Sequence, residues 1–220
     1  TKKIDTGSGI WYIKSLKKKN NWNDYFANIR NKYSMRVSKT KPLIIDLDGK
    51  NVTSNVNYSL LANQEGSFLY TMEQTVKKFT KDFECMSIFG VDEVSFIFDS
   101  AEKIIDRINS NKNFKTDEII SVFSEYFFAE FNKENKEKPI FWHGKCYSIE
   151  ENKKLSYIKY KSQSILNVFT TYFLKKNGVK DAGNIKLDKK IEQCNSIDFY
   201  KDIEEYSKGI LYYKGERISL

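Results

Sequence analysis

Apolar and polar positions along the chain follow two periods. Leu43-Ile44-Ile45, continued by Leu47, is a near-continuous apolar run with two β-branched residues, and it predicts a short buried strand. Ser67–Phe83 changes period: Phe68, Leu69, Met72, Val76 and Phe79 have the spacing of an amphipathic helix. Cys85–Phe98 reads as strand, tight turn, strand, with β-branched and aromatic flanks around Gly90-Val91-Asp92. Ala101–Ile108 predicts a short helix and Asp117–Phe131 a longer one, with Ile120, Phe123, Phe127 and Phe131 on one face. Pro139–Ser148 alternates loosely, as a further strand would. Glu150–Lys176 is the longest helical pattern, stopped by Asn177-Gly178. A polar loop over 177–190 then precedes a helix near Ile191–Tyr206. Residues 209–218 read as a hairpin turning at Lys214-Gly215. Ahead of the first strand, Gly7-Ser8-Gly9 reads as a linker and Asn23–Arg30 as a short helix capped by Asn23 or Asp24. Lys50–Gly66 is a polar, Asn-rich loop.

Strand, helix, then hairpin is the order of a ferredoxin-like, palm-type unit. The expected class is therefore α/β (α+β): an antiparallel sheet with helices packed on it and a helical C-terminal half. The expected organisation is a basic extension over 1–41, a core over 42–176, and a helix and hairpin over 177–220 packed in the same domain. Aromatics at 15% of 220 residues supply enough apolar volume for such a core despite 30% charged residues.

The chemistry begins at the end of the first strand. Asp46 and Asp48 are two apart, so a strand sends both to the same face. Gly49 follows, where the backbone bends easily and exposes its carbonyl. A buried acid pair is costly unless something compensates it. The hairpin adds Asp92 and Glu93 at its turn. Were it to lie beside the Asp48 strand, up to three carboxylates would converge, and hard oxygen ligands of that kind suit Mg²⁺. The plainer alternative is that Asp92 and Glu93 are ordinary turn residues.

Charge and the sulfur and imidazole inventory narrow the classes. A formal net charge of +8 permits a polyanionic partner such as RNA, although a solvated basic surface would have the same composition. Arg occurs only at positions 30, 36, 107 and 217; Lys makes a diffuse phosphate-attracting surface more readily than a geometry-reading site. Cys85, Cys146 and Cys194 have no metal-type spacing, and an odd set points to a reducing, cytoplasmic setting. The single His143 excludes most His-based metal sites and leaves little room for a Ser-His-Asp triad. No run approaches 18 apolar residues and no signal peptide is visible, so a soluble protein with no membrane partner is expected. The first residue is Thr1, so the natural start is expected upstream.

Several stretches together resemble a known family. Pro42-Leu43-Ile44-Ile45-Asp46-Leu47-Asp48-Gly49-Lys50 is similar to the "PVIIRLDGK" signature of the tRNA-His guanylyltransferase superfamily, the 3′–5′ nucleotide-adding polymerases. Asp92-Glu93-Val94-Ser95 resembles that family's "QSDE-x-S" hairpin, and Ala129-Glu130-Phe131-Asn132 its "AEFN" helix end. Phe141–Cys146 stands in the place of "FDARV", and Tyr157-Ile158-Lys159-Tyr160-Lys161 resembles its "Y-x-x-W-R" helix. Order and approximate spacing hold over about residues 24–176.

The resemblance implies a polymerase-like palm that transfers a nucleotide to the 5′ end of RNA, tRNA first among them. It implies two Mg²⁺ ions held by Asp48, the Gly49 carbonyl and Asp92, with Glu93 supporting the shell. One ion would activate an attacking hydroxyl and the other would neutralise the triphosphate. GTP or ATP is the implied nucleotide, with Lys50, Asn51, Ser95 and Lys115 as its contacts. Arg36, Lys145, Lys161 and Asn167 are the implied RNA contacts, and a homo-oligomer, dimer or tetramer, the implied assembly. Asp46 stands where the family has Arg, as an extra metal-shell acid or a surface residue. The sequence also departs from the family elsewhere: Gly90-Val91 replaces Gln-Ser, His143 and Lys145 replace Asp and Arg, and Lys161-Ser162-Gln163-Ser164 replaces "RQ-x-D". Two other readings stay open, a palm-type synthase of cyclic or linear oligonucleotide signals and a non-catalytic RNA-binding relative.

Overall fold

The computed structural model describes residues 36–50, 52, 67–108, 115–133 and 139–219. The expected linker at 7–9, the helix at 23–30, Asn51 and most of the loop after the first strand lie outside the described residues. Strand β1 (Leu43–Gly49), helix α1 (Phe68–Asp82), the hairpin β2 (Met86–Phe89) and β3 (Glu93–Phe98), and the short helix α2 (Ala101–Ile105) follow the sequence pattern closely. Helix α3 (Thr116–Phe131), strand β4 (Trp142–Ser148) and the long helix α4 (Lys154–Lys176) come next.

The predicted helix near Ile191–Tyr206 is two helices, α5 (Leu187–Asn195) and α6 (Tyr200–Ser207). Asn195-Ser196 is a pair that competes for its own backbone in helix interiors, so the chain turns there. The second helix lies within the predicted span except for its last residue, Ser207. The hairpin β5 (Ile210–Tyr213) and β6 (Glu216–Ile218) closes at Lys214 and Gly215, both with positive φ, the turn geometry that a tight hairpin demands.

All six strands form one sheet in the order β4-β1-β3-β2-β5-β6, with every neighbour antiparallel. The first four stand in the ferredoxin-like order, and the C-terminal hairpin extends the sheet beyond β2. The pleat divides the sheet into two unlike faces. On one face Leu43, Ile45, Leu47, Val94, Phe96 and Phe98 meet α1 and α3 in the main core. Phe123 and Phe127 of α3 pack edge-on against Phe79 and Phe96, so the aromatic stripe is core, as its period suggests. One register detail differs: Ile119, not Ile120, is the fully buried first member of that stripe. Positions 119, 123, 127 and 131 keep strict i, i+4 spacing.

The opposite face changes character along the strands. Its apolar part, Ile44, Ile88, Ile97 and Leu211, is covered by Ile158 and Ile165 of α4. Toward the carboxyl end of β1 the same face becomes polar. Helix α4 comes so close there that a Cβ on Gly90 would stand 2.5 Å from Ile165, and glycine is what that approach requires. Among the described residues no helix is long and apolar enough to cross a membrane.

Candidate metal centre

The register of β1 with its neighbours lays side chains in rows across the polar part of the sheet. His143 of β4, Asp48 of β1 and Glu93 of β3 form one row; Lys145, Asp46 and Ser95 form the next. Asp92 lies one residue beyond the ladder and is fixed by its backbone: the Gly49 amide donates to the Asp92 carbonyl at 2.8 Å. Residues more than forty positions apart are thereby brought side by side at the end of β1.

Their charges feel each other. Burial first, then the carboxylates of Asp48 and Glu93, push the Asp92 carboxyl up to about 6. An Asp92 carboxyl raised by burial and by its acidic neighbours, with Asp48 and the Gly49 backbone carbonyl as further hard oxygen donors, suits a divalent cation such as Mg²⁺. His143 stands over this point as well. Its Nδ1 is 3.1 Å from the Asp48 carbonyl oxygen and 3.5 Å from Asp48 Oδ2.

The expectation that three carboxylates converge is not met. Among the described residues no group of three His, Cys, Asp or Glu side chains is arranged to hold a metal. Glu93 is drawn elsewhere, because Lys161 Nζ lies 2.6 Å from its Oε2. Lys161 is itself buried on the inner side of α4, so the expectation that it contacts RNA is corrected: its ammonium faces inward, to Glu93 and Asp46. Burial works against its charge, but those two carboxylates outweigh it and hold the Lys161 pKa above the ordinary lysine value.

Asp46 is neither a metal-shell acid nor a free surface residue. Its oxygens accept from the hydroxyls of Ser95 (2.5 Å), Tyr157 (2.5 Å) and Tyr147 (2.8 Å). Ser95 is fully buried in this knot and also accepts from Tyr157 at 2.9 Å, so it is not available to a nucleotide.

The remaining expected contacts scatter. Lys50 is exposed directly after Gly49, and its amide donates to the Phe141 carbonyl at 2.8 Å. Lys145 is exposed on β4, opposite Asp46. Arg36 and Lys115 face each other across an isolated antiparallel bridge, which sets Lys115 at the start of α3 rather than beside Asp48. Asn167 is exposed on α4, but its amide oxygen accepts from Lys190 at 2.8 Å. Sequence reasoning passed over Tyr147, Tyr157 and the part of His143 in the site. Once the β1–β4 register is known, parity places His143 beside Asp48 and Tyr147 on the same face; no local pattern shows it.

An antiparallel sheet whose first four strands run in the order 4-1-3-2, with α1 and α3 on one face and α4 on the other, defines a palm-like α/β fold. More particularly, it is the fold of the tRNA(His) guanylyltransferases and their relatives. A bacterial tRNA(His) guanylyltransferase-like protein in complex with ATP superposes with a TM-score of 0.60 at 14% identity, over 88% of this chain and 85% of that one. The corresponding GTP complex gives 0.59 at 14% identity, over 88% and 84%. The Saccharomyces cerevisiae tRNA(His) guanylyltransferase gives 0.57 at 16% identity, over 88% and 94%. The likeness read from the sequence motifs therefore extends to the fold. No protein-family model matches the sequence, and no curated protein sequence matches it.

The titration of Asp92 gives a measurable consequence. Its folded-state pKa lies above the ordinary 3.8, so between about pH 4 and 6 the folded protein binds more protons than the unfolded chain at this position. Without a divalent cation, its contribution to stability is full at low pH and is lost as pH rises through about 6. A cation bound by Asp92 would reverse that loss only where Asp92 is ionised. Saturating Mg²⁺ is expected to raise the melting temperature by roughly 5–10 °C at pH 7.5 and by little at pH 5. Scanning fluorimetry of wild type and Asp92→Asn checks this; an equal Mg²⁺ response in the variant would contradict it.

Proposed function

We propose that this chain is a Mg²⁺-dependent nucleotidyltransferase that adds a nucleotide to the 5′ end of RNA, tRNA first among candidates. The observation that carries the reading is the backbone bond from the Gly49 amide to the Asp92 carbonyl, which sets the hairpin turn beside the end of β1, one residue from Asp48. Support comes from the fold, which is that of proteins described as tRNA(His) guanylyltransferases or their relatives, two of those structures holding ATP or GTP.

Asp48, Asp92 and the Gly49 carbonyl would hold Mg²⁺, which when bound supplies charge neutralisation for a triphosphate and lowers the pKa of a hydroxyl. The chain's own residues do the rest. Asp48 presents its charge to solvent at the strand end, beside the partly buried Asp92. Lys50, exposed beside them, attracts phosphate oxygens. His143 fixes the β4 side of the site through its contact with the Asp48 carbonyl oxygen. Lys145 offers a second exposed cation on the same face of the sheet.

Incubation with labelled GTP or ATP and Mg²⁺, with and without a 5′-truncated tRNA, tests the reading. RNA lengthened at its 5′ end is the expected product. Oligonucleotides formed without RNA would assign the chain to signal synthesis instead. Absence of any metal-dependent product would leave an RNA-binding role.

A further inference from the structure

Glu93 is the direct ladder partner of Asp48, so the pleat sends both side chains to one face. With a cation between Asp48 and Asp92, Glu93 is the carboxylate placed by the backbone to become a third ligand. The side chains arrange it otherwise. Tyr157 and Lys161, four apart on α4, descend on the same face of that helix. Tyr157 bonds Asp46 and Ser95, while Lys161 Nζ stands 2.6 Å from Glu93 Oε2 and 3.7 Å from Asp46 Oδ1.

The ion pair is an interior one, with Lys161 and Glu93 side chains only 11% and 18% exposed. Asp46 is immobilised by three hydroxyls and so forms a fixed second counter-charge for the ammonium. Glu93 Oε1 is shut away from solvent with no hydrogen-bond partner. A buried carboxylate oxygen left unpaired is costly, and such exceptions call for an explanation in the site they border.

We propose that Lys161 is a positioning residue: its ammonium draws Glu93 away from Asp48 and Asp92, so that two carboxylates rather than three face the cation. This rests on the reading of Asp48 and Asp92 as metal ligands. Fewer charged ligands leave the ion loosely held and still electron-poor toward phosphate oxygens. The same ammonium also offsets the charge that Asp46 and Glu93 would otherwise add to the site.

Calorimetric titration of the full chain with Mn²⁺ alone tests the proposal. Lys161→Met should bind Mn²⁺ roughly tenfold more tightly than wild type, because a cation is lost and Glu93 is released as a ligand. Glu93→Gln should bind no more tightly than wild type, and K161M/E93Q should return to the wild-type range. Unchanged or weaker binding in K161M, or abolished binding in E93Q, overturns the proposal while leaving the metal site standing. Wild-type protein that binds no Mn²⁺ and behaves like D92N overturns the metal site and this proposal together. Should K161M fail to fold, K161M/E93M replaces the interior pair by two apolar side chains. Wild-type Mn²⁺ affinity in that variant supports the proposal, and lost binding marks Glu93 as a ligand and overturns it.

Discussion

Asp48→Asn and Asp92→Asn are each expected to lower nucleotidyl transfer roughly a thousandfold or more, equivalent to about 4 kcal/mol of lost transition-state stabilisation. Both substitutions keep the size of the side chain and remove only its charge. Unfolding is not the expected cause. Asp92 is destabilised by burial and by Asp48, so Asp92→Asn should melt no lower than wild type at pH 7.5 in the absence of metal. Labelled-nucleotide assays beside far-ultraviolet circular dichroism and melting curves separate the two effects. Activity retained in either folded variant would remove that residue from the site.

The largest effect on stability is expected on the other face of the sheet. Phe123 is fully buried, and its ring stands 5.0 Å from Phe96, 5.2 Å from Phe83, 5.4 Å from Phe79 and 5.9 Å from Phe98. It joins α1, α3 and β3 in one cluster. Phe123→Ala removes the transfer energy of the ring and leaves a cavity that four rings cannot readily fill. The expected cost is about 3–5 kcal/mol, a large part of a typical domain's stability. In melting temperature this is a drop of roughly 6–20 °C. Urea unfolding measures it directly. A loss below about 1 kcal/mol would show that the neighbouring rings close over the gap.

What was legible in the sequence was whatever is written with a short period. The apolar run of β1, the i, i+4 spacing of α1 and α3, and the glycine-bearing turns at Gly90 and Gly215 all depend on near neighbours. The places of Asp48 at a strand end and of Asp92 in a hairpin turn were legible because each can be recognised locally. What escaped was long-range pairing. Asp46 finds Tyr147 and Tyr157 across a hundred residues, and Glu93 finds Lys161 across sixty-eight. No period carries such matches. The resemblance implies that Lys161 contacts RNA, whereas its partners Asp46 and Glu93 lie on strands far from it in sequence. The break at Ser196 was missed for a different reason: the apolar spacing runs through it, and only weak local competition for backbone hydrogen bonds marks the turn.

The pairing of β2 with β5 joins Phe89 to Ile210, segments that leave the ribosome well apart in time. Until the later hairpin emerges, Met86–Phe89 is the outer border of a four-stranded sheet, with a row of amide and carbonyl groups lacking strand partners. Bare borders of that kind recruit strands from other molecules. Synthesis therefore passes through an interval in which the nascent sheet is vulnerable to aggregation, and the arrival of Ile210–Tyr213 closes it.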